Sequence, residues 1–154
     1  MLDLSAVDLA DVVMALEDHS DESSWWIDAT TGDVWEWFSD GDADPAFDPE
    51  ARADARQIWP LESRIAYRDM EEFIARVPDR RAAELLERAI AGRGAFRRFK
   101  DTLFEFPEIR AAWFRFSDTR MRRRAIELLV AEELVDGEAA NRALGRSCRA
   151  AVWG

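Results

Sequence analysis

GRGAFRRFK, residues 92–100, admits a strand reading and a helix reading, and the choice between them decides the fold. As a strand, Arg93-Gly94-Ala95-Phe96-Arg97-Arg98-Phe99 resembles the signature of an RNA-recognition sheet, in which a basic residue and a glycine lead into aromatic positions. The aromatic residue after the glycine is missing, however, and Arg97 stands where valine belongs. Side chains alternate along a strand, so one deletion sends the rings to opposite faces and removes the stacking platform. As a helix, at about 100° per residue, Phe96, Phe99 and Leu103 fall within one arc while Arg98, Asp101 and Glu105 point away. The helix reading makes Phe96 and Phe99 core residues. It leaves Lys100 on the apolar side, about 40° from Phe96, where its ammonium group must snorkel or meet a carboxylate.

Working outward, the chain around this stretch reads as helical. From Ser63, the residues Tyr67, Met70, Ile74 and Val77 share a face, Pro78 stops that helix, and Asp79 caps the next through Leu85, Leu86 and Ile90. Gly92 and Gly94 break it. Helical segments are expected from about Ala95 to Phe104 and from Pro107 to Phe116, with Ser117 and Asp118 capping a last helix to about Leu134. Toward the N-terminus, Ser5-Ala6-Val7-Asp8 has the form of a helix cap before Leu9, Val12, Val13 and Leu16.

Trp25-Trp26-Ile27-Asp28 and Val34-Trp35-Glu36-Trp37-Phe38 flank Thr30-Thr31-Gly32-Asp33 and predict a β-hairpin, with Gln57-Ile58-Trp59 as a third strand. Period two puts Trp25 and Ile27 on one face with Trp35 and Trp37 opposite them, leaving Asp28 and Glu36 on the other. The expected class is therefore α+β: an N-terminal helix and a small antiparallel hairpin or three-stranded sheet packed with a C-terminal bundle of about five helices. A single domain is expected over 1–135 with an acidic loop at about 39–56, and 136–154 reads as a weakly ordered tail.

Net charge is −11 over 154 residues, but it is unevenly placed. Residues 1–50 carry 15 acidic and no basic residues, and residues 51–154 carry 17 acidic against 21 basic, a net of +4. The two halves are expected to attract. Twenty of the 21 bases are arginine, which GC-rich coding would explain, and Lys100 is the only lysine. Arg93, Arg97, Arg98, Lys100, Arg120, Arg122, Arg123 and Arg124 concentrate positive charge, the last four in what reads as the first turn of a helix, where the dipole disfavours cations. An ordinary solvated face or docking of the acidic half explains such a cluster blandly; an acidic partner, protein or nucleic acid, explains it functionally.

Other motifs are weaker. Asp40-Gly41-Asp42-Ala43-Asp44 has the first carboxylates of a calcium loop, but Pro45 replaces the turning glycine and Ala51 the bidentate glutamate. Glu17, Asp18, His19, Asp21 and Glu22 gather around the single histidine and suggest, as the alternative reading, a metal-dependent hydrolase, although a capped helix end is the simpler account. No nucleophile elbow or phosphate-cradling glycine loop is present, so an enzyme is the lesser expectation and no cofactor is implied. A lone Cys148, no leader-like start and no apolar run of membrane length predict a cytoplasmic protein without a membrane partner.

Three stretches together carry a family resemblance: Ser20-Asp21-Glu22-Ser23 with Ile27-Asp28 and Thr31-Gly32-Asp33-Val34; Tyr67-Arg68-Asp69-Met70-Glu71-Glu72-Phe73-Ile74; and Leu85 through Asp101. With Trp113-Phe114-Arg115-Phe116 and the Asp118 to Leu129 segment, the order resembles Uncharacterised Protein Family 0158, a bacterial family, over roughly residues 5–134. The resemblance implies a compact intracellular α+β domain and transfers no catalytic residue. The Asp40 to Arg56 connector and the tail fall outside it. The expected function is a non-catalytic binding or regulatory domain whose arginine-rich surface engages an acidic partner.

Overall fold

The computed structural model describes residues 1–38 and 44–147. The described chain divides into two compact units, one built from residues 1–61 and 120–147, the other from residues 62–119. The expected α+β class holds: a three-stranded antiparallel sheet and six α-helices among the described residues.

In the first unit, helix α1 (Leu9–Glu17) is capped by Asp8, whose carboxylate accepts the Ala10 N–H at 2.9 Å. The cap is not Ser5, because Val7 is extended and buried and ends the preceding helical turn at Leu4–Ala6. Strands β1 (Ser23–Asp28), β2 (Val34–Phe38) and β3 (Ala55–Ile58) pair in the order β2-β1-β3. Trp26 lies opposite Trp35, Ile27 opposite Val34 and Trp25 opposite Glu36. Trp35 and Trp37 therefore share the face of Trp26 and Asp28, and the expected grouping with Trp25 and Ile27 is off by one residue. The turn sets this register: Asp28 N–H donates to Asp33 O, and the Gly32 N–H returns to Asp28 O. Gly32 is fixed twice, by a φ of 82° and by Ala6 O, which a Cβ there would meet at 2.8 Å.

The Ile27 face, with Ile58, Trp25 and Val34, packs against Val12, Ala15 and Leu16 of α1. On the opposite face, Trp35 is buried beneath Phe47 and Arg52, and its indole N–H donates to Phe47 O at 2.8 Å. Arg52 also reaches Asp28 at 2.7 Å, so part of the acidic connector straps the sheet.

In the second unit, α2 (Ser63–Ile74), α3 (Arg80–Ala89), α4 (Ala95–Leu103) and the first half of α5 (Pro107–Ala131) surround Phe73. Its ring meets Trp113 at 5.3 Å, Phe116 at 5.4 Å and Phe99 edge-on at 6.5 Å. Asp79 caps α3 as its sequence position implies, accepting the Arg81 and Ala82 N–H groups.

Helix α5 replaces the two helices expected on either side of Ser117. No glycine interrupts it and its only proline is Pro107, at the first position, where proline fits. What resembles a boundary is a change of phase. Ile109, Ala112 and Phe116 form one stripe, whereas Met121, Ala125 and Leu129 form another about half a turn round the helix. Residues 137 to 147, expected as part of a weak tail, form α6 (Gly137–Ser147), with Ala140 and Ala143 buried beside Ile126. Cys148, the remaining tail, and Asp40 and Asp42 of the calcium-like loop lie outside the described residues.

Candidate functional site

Arg97 and Lys100 of the 92–100 stretch stand on one side of α4, and Arg93 lies in the turn before it. Gly92 and Gly94 adopt φ of 85° and 72°, left-handed geometry that reverses the chain after α3. At Gly94 a Cβ would meet nothing within 4 Å, so its backbone angle rather than crowding calls for glycine there. Gly94 offers α4 no side-chain cap, and the first turn carries no acid.

Within α4 the buried arc is Ala95, Phe99 and Leu103, centred on Phe99. Phe96 sits at its rim and is 41% exposed, not core, and Lys100 is exposed about 100° away from Phe99. Lys100 is therefore not on the apolar side as expected, because the buried arc centres on Phe99 and not on Phe96. Phe96, Arg97, Lys100 and Phe104 instead form a stripe at helical spacing, with Arg93 in the turn just before the helix, and every one of them is exposed. Arg93, Arg97 and Lys100 take no ion-pair or hydrogen-bond partner among the described residues. The thirteen residues 88–100 hold five bases and no acid.

Arg98 plays a different part. Its Nε donates to Ala89 O at 2.8 Å and a terminal nitrogen donates to Ala91 O, so the guanidinium closes the carbonyl end of α3. It thereby locks α4 to the end of α3 and is a positioning residue.

Three neighbours escaped sequence reasoning. Phe104 is 64% exposed and Phe114 47%, and Arg110 lies over both rings, 4.5 Å and 5.1 Å from their centroids. Phe104 had a signal in the sequence, since it continues the Phe96, Arg97, Lys100 spacing by another turn. Arg110 joins α4 to α5 and could not be placed from local pattern.

The other half of the expected basic surface belongs to the first unit. Arg120, Arg122, Arg123 and Arg124 lie within α5 rather than in a first turn, which removes the dipole argument for a partner. Arg123 pairs with Glu127 at 3.2 Å, and Arg124 donates to the Met121 sulfur at 3.6 Å. Arg120 and Arg122 are engaged too, and Arg122 lines a groove of about 590 Å³ with Asp3, Asp8 and Arg142.

The alternative cluster is partly assembled. Asp18, His19 and Asp21 line a cleft of about 370 Å³ with Trp25, Gln57 and Trp59, whereas Glu17 and Glu22 do not. The Asp18 carboxylate already accepts the Trp25 indole N–H at 2.8 Å and the Ser20 N–H at 2.9 Å, bonds that hold its pKa below the ordinary aspartate value. Among the described residues no three His, Cys, Asp or Glu side chains form a metal-holding group. Asp44 and Asp48, from the calcium-like stretch, likewise accept the N–H groups of Ala46 and Glu50.

Charge follows the same division. Residues 62–119 carry 11 acids and 12 bases, a net of +1, so the remainder holds −12 of the total of −11. Among the described residues no helix is long and apolar enough to cross a membrane.

Comparison with known proteins adds lineage. A relative from Pseudomonas aeruginosa, described as a UPF0158 protein, is 32% identical over 72 residues, 47% of this chain and 47% of that protein. The matched part thus spans about half the length of that curated relative. No solved structure matches the chain. The model of the uncharacterised protein family UPF0158 matches residues 6–144, nearly the whole chain, with the three resemblance-bearing stretches inside it. On that match, the chain belongs to UPF0158.

Proposed function

We propose that this chain is a cytoplasmic, non-catalytic binding domain that engages an acidic partner through the basic and aromatic stripe of α4. One observation carries the reading: Arg97 and Lys100 on α4, and Arg93 in the turn just before it, stand exposed and without an ion-pair partner among the described residues. A basic face satisfied by its own protein shows (i, i+4) pairs, as Arg123 with Glu127 does on α5. On α4, Asp101 stands four residues after Arg97, but the two form no ion pair among the described residues, so the field of the basic stripe is open to an external anion. Arg120 to Arg124 join this reading only as a secondary basic region, because Arg123 is paired with Glu127 and Arg120, Arg122 and Arg124 are engaged as well.

The test is retention on an anionic matrix and recovery of bound partners at low salt. Wild type is expected to be retained and to elute as salt rises, and R97E/K100E to lose retention with an unchanged melt. Equal retention of the variant would contradict the reading.

Metal-dependent hydrolysis at Asp18, His19 and Asp21 is the second reading and has less behind it, since the three residues line one cleft but do not form a metal-holding group among the described residues. A thermal shift on adding divalent cations, abolished in H19A, is its expected sign. No shift with any divalent cation sinks it.

A further inference from the structure

We infer that the acidic partner is a single-stranded nucleic acid, whose bases stack on Phe96 and Phe104 while Arg93, Arg97 and Lys100 hold its phosphates. The inference rests on the acidic-partner reading and names the partner's class. Charge alone would suit any polyanion; the rings discriminate. An aromatic face carries the negative side of the ring quadrupole, so a carboxylate gains nothing from lying over it, whereas a nucleobase stacks on it.

The stripe interleaves both kinds of group. Phe96 and Phe104 are separated by eight residues, about 12 Å along the helix, with Arg97 and Lys100 between them. Both rings are well exposed, at 41% and 64%. Arg110 covers part of Phe104 from the α5 side, which holds that ring in place and adds a cation at the end of the stripe. Arg98 fixes the start of the stripe by its bonds to Ala89 O and Ala91 O. A positively charged track punctuated by rings is the recurring arrangement for sequence-tolerant single-strand binding, and paired bases inside a duplex offer no free face to such rings.

The experiment compares three labelled probes with the full chain at low salt: a uridine oligonucleotide about twenty nucleotides long, a duplex of the same length, and poly-L-glutamate. The single strand is expected to bind tighter than either of the others. In F96L/F104L, which keeps apolar bulk but removes the rings, its affinity is expected to fall about tenfold or more, with polyglutamate binding changed less than about twofold. Thermal melts accompany each protein, and F104L alone serves if the double variant melts lower, because Phe104 is the more exposed ring. Polyglutamate binding as tight as the oligonucleotide, or oligonucleotide binding indifferent to the ring variants, overturns the nucleic-acid inference and leaves the acidic-partner reading standing. A duplex preferred over the single strand also overturns it. If wild type binds none of the probes, both readings fail.

Discussion

Glu133 ends α5 in the left-handed region, at φ 58°, where glycine is the usual residue. The Leu134 N–H donates to Leu129 O at 2.8 Å and the Glu133 N–H to Val130 O at 3.0 Å, the paired bonds of a Schellman ending, with Leu134 and Leu129 both buried. The bonds hold an unfavourable backbone angle. E133G is expected to raise stability by about 1 kcal/mol by removing the Cβ clash, with a higher Tm in thermal denaturation; a lower Tm would contradict that geometry. Asp28 is a second residue with a readable energetic role. Burial alone would raise its pKa, but the N–H groups of Thr30 and Thr31 and the Arg52 guanidinium outweigh burial and hold it below the ordinary value. A pKa lowered by folding contributes stability above the unfolded value of about 4 and loses it as pH falls through the folded value. R52A is expected to cost roughly 3 kcal/mol near neutral pH. In urea titrations the gap between the two proteins should narrow as Asp28 protonates; a gap independent of pH would contradict the pairing. Neither residue was legible beforehand, since one depends on how α5 terminates and the other on a partner 24 positions away.

At the scale of elements, local signals were readable wherever one short stretch decided them. Asp79 as a cap, Gly92 and Gly94 as a break, and the three strands follow from adjacent residues. The faces did not follow so simply. The hairpin's turn shifts its register by one residue, which moves Trp35 and Trp37 to the other side of the sheet, and no propensity encodes that shift. Helix α5 failed for a related reason: its apolar stripe changes phase near Ser117, and Ser117-Asp118 resembles a cap, so a change of buried face looks like the end of a helix. Proline separates the two cases. At the first position of a new helix it is favoured, but inside a continuous helix it removes a hydrogen bond and clashes with the preceding turn. D118P is therefore expected to cost about 3 kcal/mol or more in a denaturant titration. A neutral effect would restore the two-helix reading. On α4, the sequence correctly made a helix of AFRRFK after a glycine break but centred its buried arc wrongly. Recentring it on Phe99 accounts for Lys100, which faces out with Arg97.

For the whole molecule, net charge of −11 hides a division between residues 62–119 at +1 and the remainder at −12. The basic stripe thus belongs to the part of the chain that carries little net charge. The compositional contrast between the two sequence halves does not separate the two basic groups, yet Arg120 to Arg124 are engaged while Arg93, Arg97 and Lys100 take no ion-pair partner among the described residues. If these three cations each meet one phosphate, the logarithm of affinity for a single strand should fall against the logarithm of salt with a slope of about −2. The direct test is that slope, measured by anisotropy of a labelled uridine oligonucleotide for wild type and for R93Q/R97Q/K100Q. The slope is expected to collapse toward zero in the variant with an unchanged thermal melt, whereas an equal slope in both proteins would show that the α4 stripe is not the binding surface.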